Sequence, residues 1–180
     1  MPRLITIDPG YGKRTRGCAL AGFDDRDRLE SIWFMRRTDT PLAGLVDVAT
    51  IVVERPQQDG RTYAIPPATL EALAWEGAAV AYVLAGATGA RVVELTPTQW
   101  KKGSRKPCQH ARLWDALDLE ERRTIGGIRV GRIIDAATEA GARDRWRKKD
   151  SASYYSPSAK ALTDTLDAVA LGCVYLGRMK

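Results

Sequence analysis

An α/β fold whose sheet mixes antiparallel and parallel strands is what the 180-residue sequence predicts, on three observations. Three short apolar runs, from Arg3 to Asp8, Cys18 to Phe23 and Leu29 to Met35, are separated by tight polar turns, the pattern of an antiparallel meander. Thr50-Ile51-Val52-Val53-Glu54 is a continuous β-branched run without polar alternation, which suits a central parallel strand buried on both faces. A long alanine-rich stretch then joins that run to another, Arg91 to Leu95, giving a strand–helix–strand unit.

Composition bounds the class. The apolar fraction of 44% suffices for one sizeable core, and one domain over residues 1–180 is expected. No run of 18 or more apolar residues occurs, so neither a spanning helix nor a membrane partner is expected. The N-terminus shows no signal-peptide pattern. Three widely spaced cysteines, Cys18, Cys108 and Cys173, read as reduced thiols of a cytoplasmic protein. The net charge is +6, and its placement is uneven. Residues 101–149 hold 14 Lys/Arg against 7 Asp/Glu, whereas the rest of the chain holds 14 against 15. Such asymmetry points to a polyanionic partner, most often nucleic acid.

Taken in order, the first strand ends in Asp8-Pro9-Gly10, where Pro stops the ladder and Gly permits a sharp turn. A glycine-punctuated basic turn with Lys13, Arg14 and Arg16 follows. Gly12-Lys13 is not a phosphate loop, because Ile7 stands where that motif needs Gly and Arg14 where it needs Ser or Thr. Thr40 to Asp47 is expected to form one or two helical turns. Glu54 repeats the logic of Asp8, a carboxylate at a strand end stopped by Arg55-Pro56. After a loop from Gln57, Thr69 is the expected N-cap of the long helix, which runs to about residue 85–87 ahead of Gly89. Its small residues, among them Ala74, Gly77 and Ala78, allow close packing on the sheet or on a second subunit.

Beyond Leu95, Trp100 stands among Lys101, Lys102, Arg105 and Lys106, a mixture suited to phosphate binding with stacking, although Trp100 could equally pack on the core. A helix is expected from Pro107 to Leu117; its His110, the only histidine, does not make a metal site with Cys108 alone. The stretch from Glu120 to Lys160 is the least readable. Within it a helix is expected from Arg129 to Ala140, then a basic run containing Arg145, Arg147, Lys148 and Lys149, then a Ser/Tyr/Pro loop. The closing helix, from Ser158 or Ala161 to Gly177, carries Asp164 and Asp167 one turn apart on one face, with Leu162, Val169, Cys173 and Leu176 able to face the core.

Asp8, Glu54, Asp164 and Asp167 are therefore four acids that adjacent strands and a covering helix could gather. Clustered carboxylates are costly to bury, and a hard divalent cation removes that cost. Two such ions roughly 4 Å apart suit phosphodiester cleavage.

Ile5-Thr6-Ile7-Asp8-Pro9-Gly10, Val52-Val53-Glu54-Arg55-Pro56, the basic stretch Thr96-Pro97-Thr98-Gln99-Trp100-Lys101 through Lys106, and Asp164-Thr165-Leu166-Asp167-Ala168-Val169-Ala170-Leu171 occur in the order found in the RuvC-type Holliday-junction resolvases. The chain resembles that family of the RNase H-like superfamily over most of its length, except for residues from about 118 to 158. The resemblance implies an RNase H-like fold: a mixed five-stranded sheet, three antiparallel strands then parallel ones, with helices on both faces. It implies cleavage of four-way or other branched DNA with Mg²⁺, or Mn²⁺ in its place, by a homodimer that uses the long helix. Asp8, Glu54, Asp164 and Asp167 become metal ligands, the expected seat of two ions, and Lys101 and Lys106 phosphate or transition-state contacts. The longer basic turn after Asp8, the short segment before Glu54 and a basic insertion at about 118–158 depart from the family pattern. They fit a divergent member such as a phage or other mobile element carries, acting in a bacterial or infected-host cytoplasm. Two alternatives stay open: another RNase H-like nuclease acting on RNA or RNA–DNA, and a non-catalytic nucleic-acid binder.

Overall fold

The first strand shows how the sequence divides the molecule into layers. In β1 (Leu4–Asp8) every residue is buried, and a period of two sends Ile5 and Ile7 to one face and Leu4, Thr6 and Asp8 to the other. β2 (Cys18–Phe23) and β4 (Thr50–Glu54) divide alike. Cys18, Leu20, Ile51 and Val53 join the first face; Ala19, Ala21, Phe23 and Val52 join the second. These assignments come from a computed structural model, which describes residues 2–10, 17–41, 45, 47–57, 65–101, 106–126 and 157–179.

β3 (Leu29–Met35) and β5 (Arg91–Leu95) complete a five-stranded sheet in the order β3-β2-β1-β4-β5. β1, β2 and β3 pair antiparallel, while β4 is parallel to both β1 and β5. The mixed α/β sheet is thus as the strand pattern predicts. Because β1 and β4 run side by side in parallel, with Ile7 opposite Val53, their terminal carboxylates leave the sheet at the same edge.

Helix α1 (Pro67–Thr88) covers the first face through Val80, Ala81 and Leu84. Gly77 lets it come close: a Cβ there would lie 2.7 Å from Cγ of Pro9 and 3.3 Å from Cγ2 of Val53. The helix starts two residues before the expected cap at Thr69. Pro66 is the N-cap without a side-chain bond, and Pro67 brings its preset φ into the first turn. Thr69 already donates its N–H to the Pro66 carbonyl at 2.8 Å. Gly89, at φ 74°, ends the helix in the left-handed region. Among the described residues α1 is the one helix long and apolar enough to cross a membrane by length and composition; here its buried side lies on the sheet.

The second face is covered by the closing helix, α5 (Pro157–Tyr175), whose Leu166, Val169, Ala170, Leu171 and Cys173 pack with Leu4, Ala21, Phe23 and Val52. Thr6 fixes its height by donating to the Ala168 carbonyl at 2.6 Å. Short helices α2 (Pro97–Lys101), α3 (Lys106–Ala116) and α4 (Leu119–Thr124) follow β5. α4 falls in a stretch where the sequence suggests no element; a capping box of Asp118 and Glu121 starts it. Buried Glu121 accepts from Leu29 N–H at 2.8 Å and from both guanidinium nitrogens of Arg178 at 2.6 Å, tying α4 to β3 and to the chain's end. Of the helical turns expected between Thr40 and Asp47, Pro41, Leu45 and Asp47 are not helical, and the other residues of 42–46 lie outside the described ones. The expected Arg129–Ala140 helix and residues 151–156 of the loop expected from Ser151 to Ser158 also lie outside them, whereas Pro157 and Ser158 already belong to α5.

Candidate active site

The acids at the sheet edge are placed by strand geometry alone. Asp8 and Glu54 each end a parallel strand, on the face that α5 covers, and both are buried. α5 adds Asp167, also buried, to this edge, while Asp164, one turn earlier, is half-buried. The electrostatics follow the same grouping: Asp8 is acted on by Asp167, Glu54, Lys106 and Lys101, and Lys106 by Asp164. Three of the four predicted acids form the buried centre, and the fourth sits at its rim.

The cluster's partners come from α2 and α3. Thr96 and Gln99 wrap the start of α2, with the Thr96 N–H donating to Gln99 Oε1 at 2.7 Å. That short turn aims two successive residues at one acid. Trp100 Nε1–H donates to Glu54 Oε2 at 2.8 Å, and Lys101 Nζ lies 3.1 Å from the same oxygen. Lys101 also rests 4.5 Å from the Trp100 ring centre. On α3, Lys106 and His110 are four residues apart and so share a face. Lys106 Nζ is 2.5 Å from Asp167 Oδ2, and His110 Nε2 is 2.8 Å from Asp167 Oδ1. Gln109 joins the two helices through the Trp100 carbonyl at 3.4 Å.

Burial and neighbours set the charge states in opposite directions. Burial, then Asp167 and Glu54, raises the Asp8 carboxyl well above its ordinary range. Glu54 is also raised, by burial and Asp167 against the opposing pull of Lys101. Burial pushes Asp167 the same way, but Lys106, Lys101 and His110 outweigh it and hold this carboxyl below the ordinary range. Asp167 is therefore ionised and can only accept, so the bond from His110 is an Nε2–H donation. Burial lowers His110 below its ordinary value, against the pull of Asp167. For Lys101 and Lys106 burial is outweighed by the acids, and both ammonium groups are held above their ordinary value.

One sequence expectation needs correction, and one residue joins the site. Trp100 is 2% exposed, so its ring offers no open face to a stacked base; it packs in the core and positions Glu54. His110, set aside on spacing to Cys108, belongs to the site through Asp167; its four-residue spacing from Lys106 was the available signal. The other basic residues assigned to nucleic acid, Lys13, Arg14, Arg16, Lys102, Arg105, Arg145, Arg147, Lys148 and Lys149, lie outside the described residues. The cysteines are free, and burial pushes Cys18 and Cys173 up to about 12, leaving protonated thiols.

The donor set fits a hard divalent cation: all-oxygen, acidic, and raised in pKa at Asp8 and Glu54, where burial outweighs the neighbouring lysines. Among the described residues no three His, Cys, Asp or Glu side chains are drawn together as a finished cage. The Glu54 and Asp167 oxygens are instead turned onto Lys101 and Lys106. Comparison with known proteins adds no relative: no family model, no curated protein and no solved structure matches the chain.

Proposed function

We propose that the chain is a metal-dependent endonuclease with an RNase H-like fold, of the RuvC type, that cleaves four-way or other branched DNA. One observation carries this reading: the parallel pair β1 and β4 delivers Asp8 and Glu54 to one sheet edge, and α5 brings Asp167 onto them. Supporting it are the strand order, with three antiparallel strands followed by parallel ones and helices on both faces, and the four sequence stretches that resemble those of the resolvases.

Asp8, Glu54 and Asp167, with Asp164 at the rim, would hold Mg²⁺ or Mn²⁺, as one or two ions. Such an ion supplies an activated water and charge stabilisation on the leaving oxygen. The chain's own residues do the rest. Trp100 and His110 fix the rotamers of Glu54 and Asp167. Lys101 and Lys106, with side chains 24% and 32% exposed, reach the mouth of the site, where ammonium groups bind a scissile phosphate. The basic segment of residues 101–149 holds the backbone beyond it.

A homodimer would place two such sites on the two strands of a junction. α1 suits its interface: the helix is apolar nearly all round, and Trp75 and Tyr82, two turns apart, are 65% and 69% exposed on its outer side.

The test is cleavage of a labelled four-way junction with Mg²⁺, beside linear duplex, flap and RNA–DNA hybrid. Preferential junction cutting is expected. Equal cutting of all substrates would remove branch selectivity, and cutting of the hybrid alone would move the protein to the RNA-directed nucleases.

A further inference from the structure

Each of the two best-held acids has two kinds of partner. One is a ring N–H that cannot leave. Trp100 is 2% exposed and His110 fully buried, each set in a short helix packed against the core. The other is an ammonium on a flexible four-carbon stem, with Lys101 and Lys106 reaching solvent along part of their length. On Asp167 the partners take different oxygens, His110 on Oδ1 and Lys106 on Oδ2. On Glu54 both meet Oε2.

A hard cation and an ammonium compete for the same carboxylate lone pairs. Three buried acids also cannot remain without positive charge at low cost. We propose that Lys101 and Lys106 are resident counter-ions that yield their carboxylate oxygens to divalent cations, while Trp100 and His110 stay as fixed donors that aim Glu54 and Asp167. This rests on the metal-dependent reading above and adds how the site is loaded. The lysines hold the acids together before loading and oppose loading while they stay. Once displaced, both turn outward at the point where a phosphate must sit. Loading and phosphate binding then favour each other, because each removes the competitor of the other.

The two kinds of donor predict changes of opposite sign. The full chain, stripped of metal by chelation, is titrated with Mg²⁺ and with Ca²⁺ by calorimetry, without DNA. Lys101→Met with Lys106→Met should lower the melting temperature without metal and bind Mg²⁺ on the order of tenfold more tightly. His110→Leu should bind it about tenfold more weakly, while His110→Gln, which keeps an amide N–H near the Nε2 position, should stay close to the parent. Unchanged or weaker binding in the lysine variant, with normal binding in the parent, would overturn the exchange and leave the metal site standing. No binding in either protein would overturn both readings. Should the double variant not fold, ¹⁵N spectra of the lysine ammonium groups in the parent chain decide. Two protected signals should disappear or shift on Ca²⁺ saturation, and signals unchanged at saturation would overturn the proposal.

Discussion

Glu121 and Asp8 are both buried carboxylates, and their neighbours set them in opposite directions. Burial raises both, but the Arg178 guanidinium and the Leu29 and Asp118 N–H groups outweigh it at Glu121 and bring that carboxyl below its ordinary value. Asp8 has acids for neighbours and stays high. A depressed carboxyl contributes stability that is fully present above its unfolded pKa, about 4.3, and lost as pH falls through the folded value. Glu121→Gln should therefore cost about 2 to 3 kcal/mol at pH 7, the partial exposure of Arg178 moderating the loss. Urea denaturation should show that difference shrinking as the pH drops below about 4. A difference constant with pH would mean that the pair does not depend on charge. At this scale the acids were legible in the sequence because each sits at a chemically marked place: a strand end before Pro, or a polar pair in an apolar helix. Trp100 and His110 were not, because a donor to a buried acid looks like any core aromatic until its partner is known.

Among the elements, α1 shows what close packing does for the site. Its Gly77 lies against Pro9, the residue next to Asp8. Gly77→Ala would force the helix off the sheet, and the overpacking should exceed the gain in helix propensity, a net loss of about 1 to 2 kcal/mol. Gly86→Ala on the same helix meets nothing within 4 Å and should stabilise by up to about 1 kcal/mol, so thermal melts of the pair separate packing from propensity. On the outer side lies the proposed dimer interface, and Trp75→Glu with Tyr82→Glu should leave only monomers in light scattering where the parent chain gives dimers, with melting little changed. A dimer that persists would place its interface elsewhere. All five strands were legible because apolar runs met turn residues at both ends. α1 starts two residues ahead of Thr69 because Pro67, with its preset φ, already suits the first turn. α4 went unread although Asp118 and Glu121 stand at capping-box spacing, because the stretch around them lacks helical apolar periodicity.

For the whole molecule, the topology and the charge distribution argue for one activity. Asp8 and Asp167 stand near opposite ends of the chain, and they meet because β1 is central and α5 crosses its outer face. The excess positive charge is confined to residues 101–149, which begin at the site itself. Neutralising Arg145, Arg147, Lys148 and Lys149 together should weaken DNA binding and flatten its salt dependence, by about 0.9 in slope for each phosphate that is no longer neutralised. An unchanged slope would mean that the run faces solvent only. The central claim is that the acid cluster is a metal-loaded catalytic centre, and Asp8→Asn tests it most directly. It removes one negative charge at the strand end while keeping the side chain's size. Measured on a labelled four-way junction, cleavage in Mg²⁺ should be abolished while junction binding in Ca²⁺ survives; cleavage at the parent rate would contradict the account.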